Sequence, residues 1–258
     1  MRALGLLLGL LAIGMGPACA APAEELSRFT CERPRPWEAG ALRNVSVAAS
    51  LVDKIVLEPG AVFSFNQTML AGDGRFAAGT SFLGGREVKS VGGGICQVSS
   101  GLYNAALLAG LDVVERSSHS LYDPREAYVV PGRDAMVSRG GHSDFRFRNS
   151  TAADLTIEAR ARGGRLTVAL MGTQHRPRRR WVEATVLHRY PSRVVEVPDP
   201  SLPWGACRQM NRGFDGISAS SRLCWVESDG ITRCAELGVD HYERVDEVWR
   251  VGAPEGKP

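Results

Sequence analysis

The sequence predicts an α+β fold: a cysteine-bearing helix packed on a mostly antiparallel sheet, followed by a small all-β module. Three observations carry that expectation. The segment from about Ile95 to Leu108 has clear helical spacing, with Ile95, Val98, Leu102, Ala105 and Ala106 three or four apart. After it, short alternating stretches dominate, at Asp144–Phe147, Leu155–Ala159 and Arg165–Leu170. Strands gathered after a helix, and not alternating with helices, mark α+β rather than α/β.

The elements follow in order. Met1 and Arg2 make a minimal positive start, and Ala3–Met15 is apolar but too short to span a bilayer. Ala18-Cys19-Ala20 is a small-x-small cleavage site, so residues 1–20 are expected to be a signal peptide cut after Ala20. Lipoprotein processing at Cys19 is the rival; Gly16, followed by Pro17, stands three before the cysteine, where an aliphatic residue is usual, which disfavours it. The mature chain is therefore expected to be exported, to the periplasm or beyond, with no transmembrane segment. Residues 21–42, rich in Pro, Glu and Arg, read as an irregular lead-in. The main domain is expected over 43–172. In it, Ser46–Ile55 has helical spacing, Glu58-Pro59-Gly60 is a turn and Ala61–Phe65 a short strand. Gly72–Gly93 reads as glycine-rich loop with brief extended pieces. Gly92-Gly93-Gly94 precedes the central helix and Gly110 ends it. Leu111–Glu115 and Ala127–Val130 read as strands. Residues 173–180 form a basic linker, and 181–258 a small β-rich module.

Composition narrows the partners. The 258 residues include 31 basic and 28 acidic ones, a balance that argues against a nucleic-acid binder. Six cysteines are more informative. Export permits disulfides. Cys224 and Cys234 bracket a hairpin turning at Ser228-Asp229-Gly230 and face each other across it. Cys19 leaves with the signal peptide, Cys31 and Cys207 pair by elimination, and Cys96 is left over.

Cys96 sits in the first turn of the central helix, directly after three glycines. A helix N-terminus presents unpaired N–H groups and a partial positive charge, which stabilise a thiolate. Main-chain N–H groups at Gly92, Gly93 and Gly94 suit an oxyanion hole, and Gln97 is grouped with them as substrate loop. The bland alternative is a buried structural thiol. A nucleophilic thiol needs a base, and His119 is the first choice, since the strand after the helix brings it back towards the helix start. His142 is second; His175, His188 and His241 read as surface or module residues. Asp134 is the candidate for fixing the imidazole, with Asp144 second and Ser120 a further neighbour. The glycine run lacks the Lys-Ser/Thr of a phosphate loop, and no Cys-x-x-Cys or His-x-x-x-His pair supports zinc, so no cofactor or metal is expected.

The same residues carry a resemblance. Pro59-Gly60, Phe63-Ser64-Phe65-Asn66, Gly92-Gly93-Gly94-Ile95-Cys96-Gln97-Val98-Ser99-Ser100 and Leu102-Tyr103-Asn104-Ala105 are similar to the VanW family. So are Glu115-Arg116, His119-Ser120, Gly132-Arg133-Asp134-Ala135 and Asp144–Asn149, and the likeness covers about residues 43–171. Some VanW domains are associated with peptidoglycan L,D-transpeptidation through the cysteine of this glycine motif. By resemblance, Cys96 is the nucleophile and His119 the base. The order, cysteine before histidine, departs from YkuD-type L,D-transpeptidases and looks more like papain-like or NlpC-type enzymes. The region 181–258 looks like the β-rich extension seen after some VanW domains. The expectation is an exported cysteine acyltransferase acting on peptidoglycan stem peptides. The alternatives are a non-catalytic cell-wall or envelope binding protein and an NlpC-type peptidase or amidase.

Overall fold

The computed structural model describes residues 23–34, 38–83, 86–138, 140–173 and 179–252. The expected signal peptide, with Cys19, and most of the basic linker, with His175, lie outside them. The lead-in is not irregular: β1 (Glu24–Glu32) is a nine-residue strand. Ser27 and Cys31 are buried two pleats apart, with Phe29 half-buried between them, and Leu26 is buried as well, because a bulge between Glu25 and Ser27 shifts the phase. The phase shift, with Arg28 and Thr30 exposed between the buried positions, hid the alternation.

Helix α1 (Ala39–Val52) starts earlier than its spacing suggested, with Ala41, Val45, Ala48, Ala49 and Val52 buried. β2 (Val56–Leu57) and the turn at Glu58-Pro59-Gly60 follow, closed by Ala61 N–H donating to Glu58 O at 3.0 Å. β3 (Val62–Ser64) ends where the Ser64 hydroxyl accepts from Gln67 N–H at 3.2 Å and caps a short helix, α2 (Phe65–Leu70). The glycine-rich stretch contains an antiparallel hairpin, β4 (Ala78–Leu83) and β5 (Arg86–Val91), rather than loop. Helix α3 (Cys96–Ala109) ends at Gly110, which is left-handed at φ 76°. The remaining strands of this half are β6 (Asp112–Glu115), β7 (Arg146–Arg148), β8 (Leu155–Arg162) and β9 (Arg165–Gly172). Ala127–Val130, expected as a strand, is irregular, with a bend at Tyr128 and Val129.

β1, β9, β8 and β2 pair in that order, all antiparallel, and α1 and α3 pack on this sheet. A second antiparallel sheet, β3-β7-β6, shares one core with them. α3 is buried almost all round, since loops cover the side the sheet leaves open. The expected α+β class, with a cysteine-bearing helix on a mostly antiparallel sheet, is what the chain adopts.

The second half is all β. β10 (Arg180–Tyr190), β13 (Gly216–Val226) and β14 (Thr232–Tyr242) form one antiparallel sheet in the order β10-β13-β14. β11 (Val194–Pro198), β15 (Glu247–Val251) and β12 (Cys207–Asn211) form another, with β11 and β15 parallel. Its own buried apolar cluster is small, Ile217, Ala219 and Tyr242. A Cys224–Cys234 disulfide joins β13 to β14 at directly opposed positions, as the hairpin reading expected. The elimination pair is not formed. Cys31 is buried on β1, Cys207 is exposed on β12, and both are free thiols. Elimination failed because three described cysteines, not one, are unpaired. No described helix is long and apolar enough to cross a membrane.

Candidate active site

Three separate segments meet at the start of α3. Asn44 on α1 is buried and donates from Nδ2 to Ala77 O and Gly93 O, both at 2.9 Å, which fixes the glycine run against the base of β4. A Cβ at Gly93 would lie 2.3 Å from Gly79 O, so only glycine lets β4 cross so closely. The crossing carries Thr80, Ser81 and Phe82 to the mouth of a cavity of about 350 Å³. Gly94, Cys96, His119, Ser120, Asp134 and Val137 also line it. The Cys96 thiol donates to Val137 O at 3.6 Å.

The loop that carries Asp134 is bolted to α3 by the residues that follow the cysteine. Ser99 Oγ donates to Ala135 O at 2.6 Å, and Ala135 N–H donates to Ser100 Oγ at 2.8 Å. Asn104 Nδ2 donates to Arg133 O at 2.8 Å, and Arg133 Nε returns to Asn104 Oδ1 at 2.7 Å. Asp134 is 4% exposed, so its charge has to be paired. Its Oδ2 accepts from the His119 main-chain N–H at 2.7 Å and meets His119 Nδ1 at 2.5 Å. Its Oδ1 accepts from Tyr242 Oη at 2.6 Å and from Arg116 Nη2 at 3.2 Å. With Nδ1 held by the carboxylate, Nε2 is the ring nitrogen left for Cys96, the group whose charge it is coupled to.

The three groups set one another's charge. Burial pushes the Cys96 thiol up, but the hydrogen bond and positive charge of His119 outweigh it and leave the thiol below its ordinary value. Burial pulls His119 down, yet Asp134 and Cys96 together hold it well above an ordinary histidine. Burial would raise Asp134; His119 and Arg116 bring it down to about 2. A cysteine beside a histidine that a buried carboxylate orients can supply, chemically, a nucleophile with its acid and base.

Other expected residues fall elsewhere. Gln97 does not face the cavity. It is fully buried, and its Nε2 donates to Gly164 O at 2.9 Å, tying α3 to the β8–β9 turn. Asp144 does not reach His119. It accepts from Ser64 Oγ at 2.6 Å and Asn66 N–H at 2.9 Å, while Asn66 Nδ2 donates to Ser143 O at 2.8 Å and Ser138 O at 3.2 Å, which braces the cavity wall at Val137. His142 is exposed and does not line the cavity. Of the glycines, Gly94 lines the cavity, whereas Gly93 serves the β4 crossing. Sequence reasoning missed Arg116, Asp240 and Tyr242. Arg116 lay in the recognised Glu115-Arg116 pair, but its partners on β14 had no local signal.

The family described as VanW like protein matches residues 41–171. Over 129 residues the chain is 43% identical to Uncharacterized protein YoaR of Bacillus subtilis, covering 49% of this chain and 41% of that one. Over 119 residues it is 30% identical to Vancomycin B-type resistance protein VanW of Enterococcus faecalis, covering 45% of this chain and 43% of that one. The chain thus spans less than half the length of these relatives. The crystal structure of HP0197-G5 aligns with 28% of this chain and 97% of its own, at 16% identity and a TM-score of 0.18.

Proposed function

The chain belongs to the VanW family, and from that premise we propose that it is an exported cysteine acyltransferase acting on peptidoglycan stem peptides. The observation that carries the reading is the Cys96–His119–Asp134 chain on the wall of a cavity. The cavity volume, about 350 Å³, is at the small end for ligand pockets and suits the end of a peptide rather than a glycan strand. A relative named for vancomycin resistance supports a substrate in the cell wall.

The chemistry runs as follows. The Cys96 thiolate attacks the carbonyl of the third stem residue. The bond to the terminal D-alanine breaks, and His119 gives its proton to the leaving amine, leaving a thioester. The Gly92 and Gly93 amides, expected as oxyanion donors, are instead engaged by Ala77 O and Ser90 O, and those of Ile95, Gln97 and Val98 by Gly92 O, Gly94 O and Ile95 O, which leaves the Gly94 and Cys96 amides as the donors of this glycine motif for the oxyanion. An amine from a neighbouring stem then attacks the thioester, His119 takes its proton, and the thiolate is released with a cross-link formed. Water in place of the amine makes the same site a carboxypeptidase.

Muropeptides made with the parent protein and with Cys96→Ala test this. New 3–3 linked dimers that vanish in the variant support transfer. Shortened monomers alone assign hydrolysis instead. Identical muropeptides, with wall binding kept by both proteins, would sink the enzyme reading.

A further inference from the structure

The site is not built by the family-matching segment alone. The end of β14 and the residue after it, 240–243, touch both loops that carry the catalytic pair. Asp240 Oδ1 accepts from Arg116 Nη1 at 2.6 Å, and the same guanidinium reaches Asp134 through Nη2 and donates from Nε to Asp134 O at 2.7 Å. Glu243 N–H donates to Ser120 O at 2.7 Å, one residue beyond His119. Between them, the Tyr242 hydroxyl accepts from Gly132 N–H at 2.8 Å and donates to Asp134 Oδ1 at 2.6 Å. One oxygen therefore fixes both the carboxylate and the turn that presents it. Gly132 is left-handed at φ 86°, and a Cβ there would meet the Ser221 Cβ of β13 at 3.4 Å, so the turn lies directly on the module. Phe214, from the loop before β13, adds a wall to the cavity.

We propose that the C-terminal module is a working part of the active site, with Tyr242 a positioning residue that holds Asp134, and through it His119, in line with Cys96. This rests on the reading of Cys96 as an acyl-transfer nucleophile. The physical reason is the orientation of a buried carboxylate. His119 engages one oxygen of Asp134, and it stays aligned only while the other oxygen is held. Arg116 alone is the longer contact, at 3.2 Å, and is itself held by Asp240 on the same strand. Without the Tyr242 hydroxyl, the Gly132 amide also loses its acceptor. The turn is then free to shift, and His119 with it.

The test uses the full chain and iodoacetamide. Carbamidomethylation of Cys96 is followed by peptide mapping from pH 5 to 10, alongside thermal unfolding. Tyr242→Phe removes one hydroxyl and keeps the ring that packs edge-on against Tyr122 at 5.6 Å. The expected result is an upward move of the Cys96 labelling midpoint by about one pH unit, the size of a lost orienting contact. A merely structural tyrosine would lower the unfolding temperature and leave the midpoint where it is. Asp240→Asn acts on the same carboxylate through Arg116 and should move the midpoint in the same direction. Tyr190→Phe, an exposed tyrosine of the same module, should move nothing. A parent-like midpoint in folded Tyr242→Phe and Asp240→Asn overturns the positioning role while leaving the nucleophile reading intact. A parent Cys96 that labels no faster than an ordinary thiol overturns both.

Discussion

Cys96 is under two opposed pulls, and its environment decides between them. Burial raises its pKa, and the His119 hydrogen bond and charge lower it, with the second winning. Removing His119 leaves burial, helped by the Asp134 charge, opposed only by the smaller effect of the Val137 contact. His119→Ala is therefore expected to move the Cys96 labelling midpoint above the ordinary thiol value, and the iodoacetamide rate at pH 7 should fall at least ~10-fold. An unchanged midpoint would mean that His119 does not govern the thiol. The other free thiols must be separated by mapping. Cys31 is buried and pushed up to about 12, so it should resist labelling, while Cys207 is exposed and available. Counting cysteines reached Cys96 by a pairing that the fold does not make. The helix start and the histidine were the sounder signals, because both are local consequences of chain order.

At the scale of elements, α3 does two jobs along one helix. Its first residue is Cys96, on the cavity wall, and Ser99, Ser100 and Asn104, one to two turns on, hold the Asp134 loop. The motif was legible for this reason: its spacing is helical, so its polar residues fall on the face that the loop covers. The hairpin above it was not legible. β4 and β5 pair only with each other, and their glycines read as loop until Gly79 and Gly93 are seen to touch across the crossing. β1 was lost to its bulge and α2 to a serine that ends one element and caps the next. Gly93→Ala tests the crossing. Its methyl would collide with the Gly79 and Thr80 carbonyls, which are backbone and cannot rotate away. The variant is expected to lose about 1–3 kcal/mol in denaturant unfolding, the usual cost of overpacking. Cross-link formation should fall with it, because the cavity mouth moves. Unfolding that matches the parent would show the hairpin to be loosely held.

Across the whole molecule, the buried charge chain spans both halves of the protein. His119 and Asp134 were within reach of sequence reasoning because they follow Cys96 closely; Tyr242 and Asp240 are more than a hundred positions away from Asp134 and Arg116, and nothing in their own neighbourhoods marks them. The Cys224–Cys234 bridge lies on β13–β14, the strand pair that delivers them. Replacing both cysteines by serine should lower stability by about 2–3 kcal/mol for a loop this short. Thermal unfolding checks that loss, and a fall in Cys96 labelling checks its transmission along β14. The charge chain also gives the fold a pH dependence with a definite sign. Asp134 sits at about 2 in the fold against an ordinary 3.8, since the pull of His119 and Arg116 exceeds the cost of burial. A carboxyl lowered by folding contributes stability that is fully present above about pH 4 and is lost as pH falls through 2. Asp134→Asn should therefore unfold at a lower temperature than the parent at pH 6. The gap between the two should narrow steadily from pH 4 towards pH 2, where the parent carboxylate becomes protonated as well. Unfolding curves of both proteins across that range are the measurement. A gap that stays constant would show that the Asp134 charge contributes nothing to the fold and that only its shape and hydrogen bonds matter.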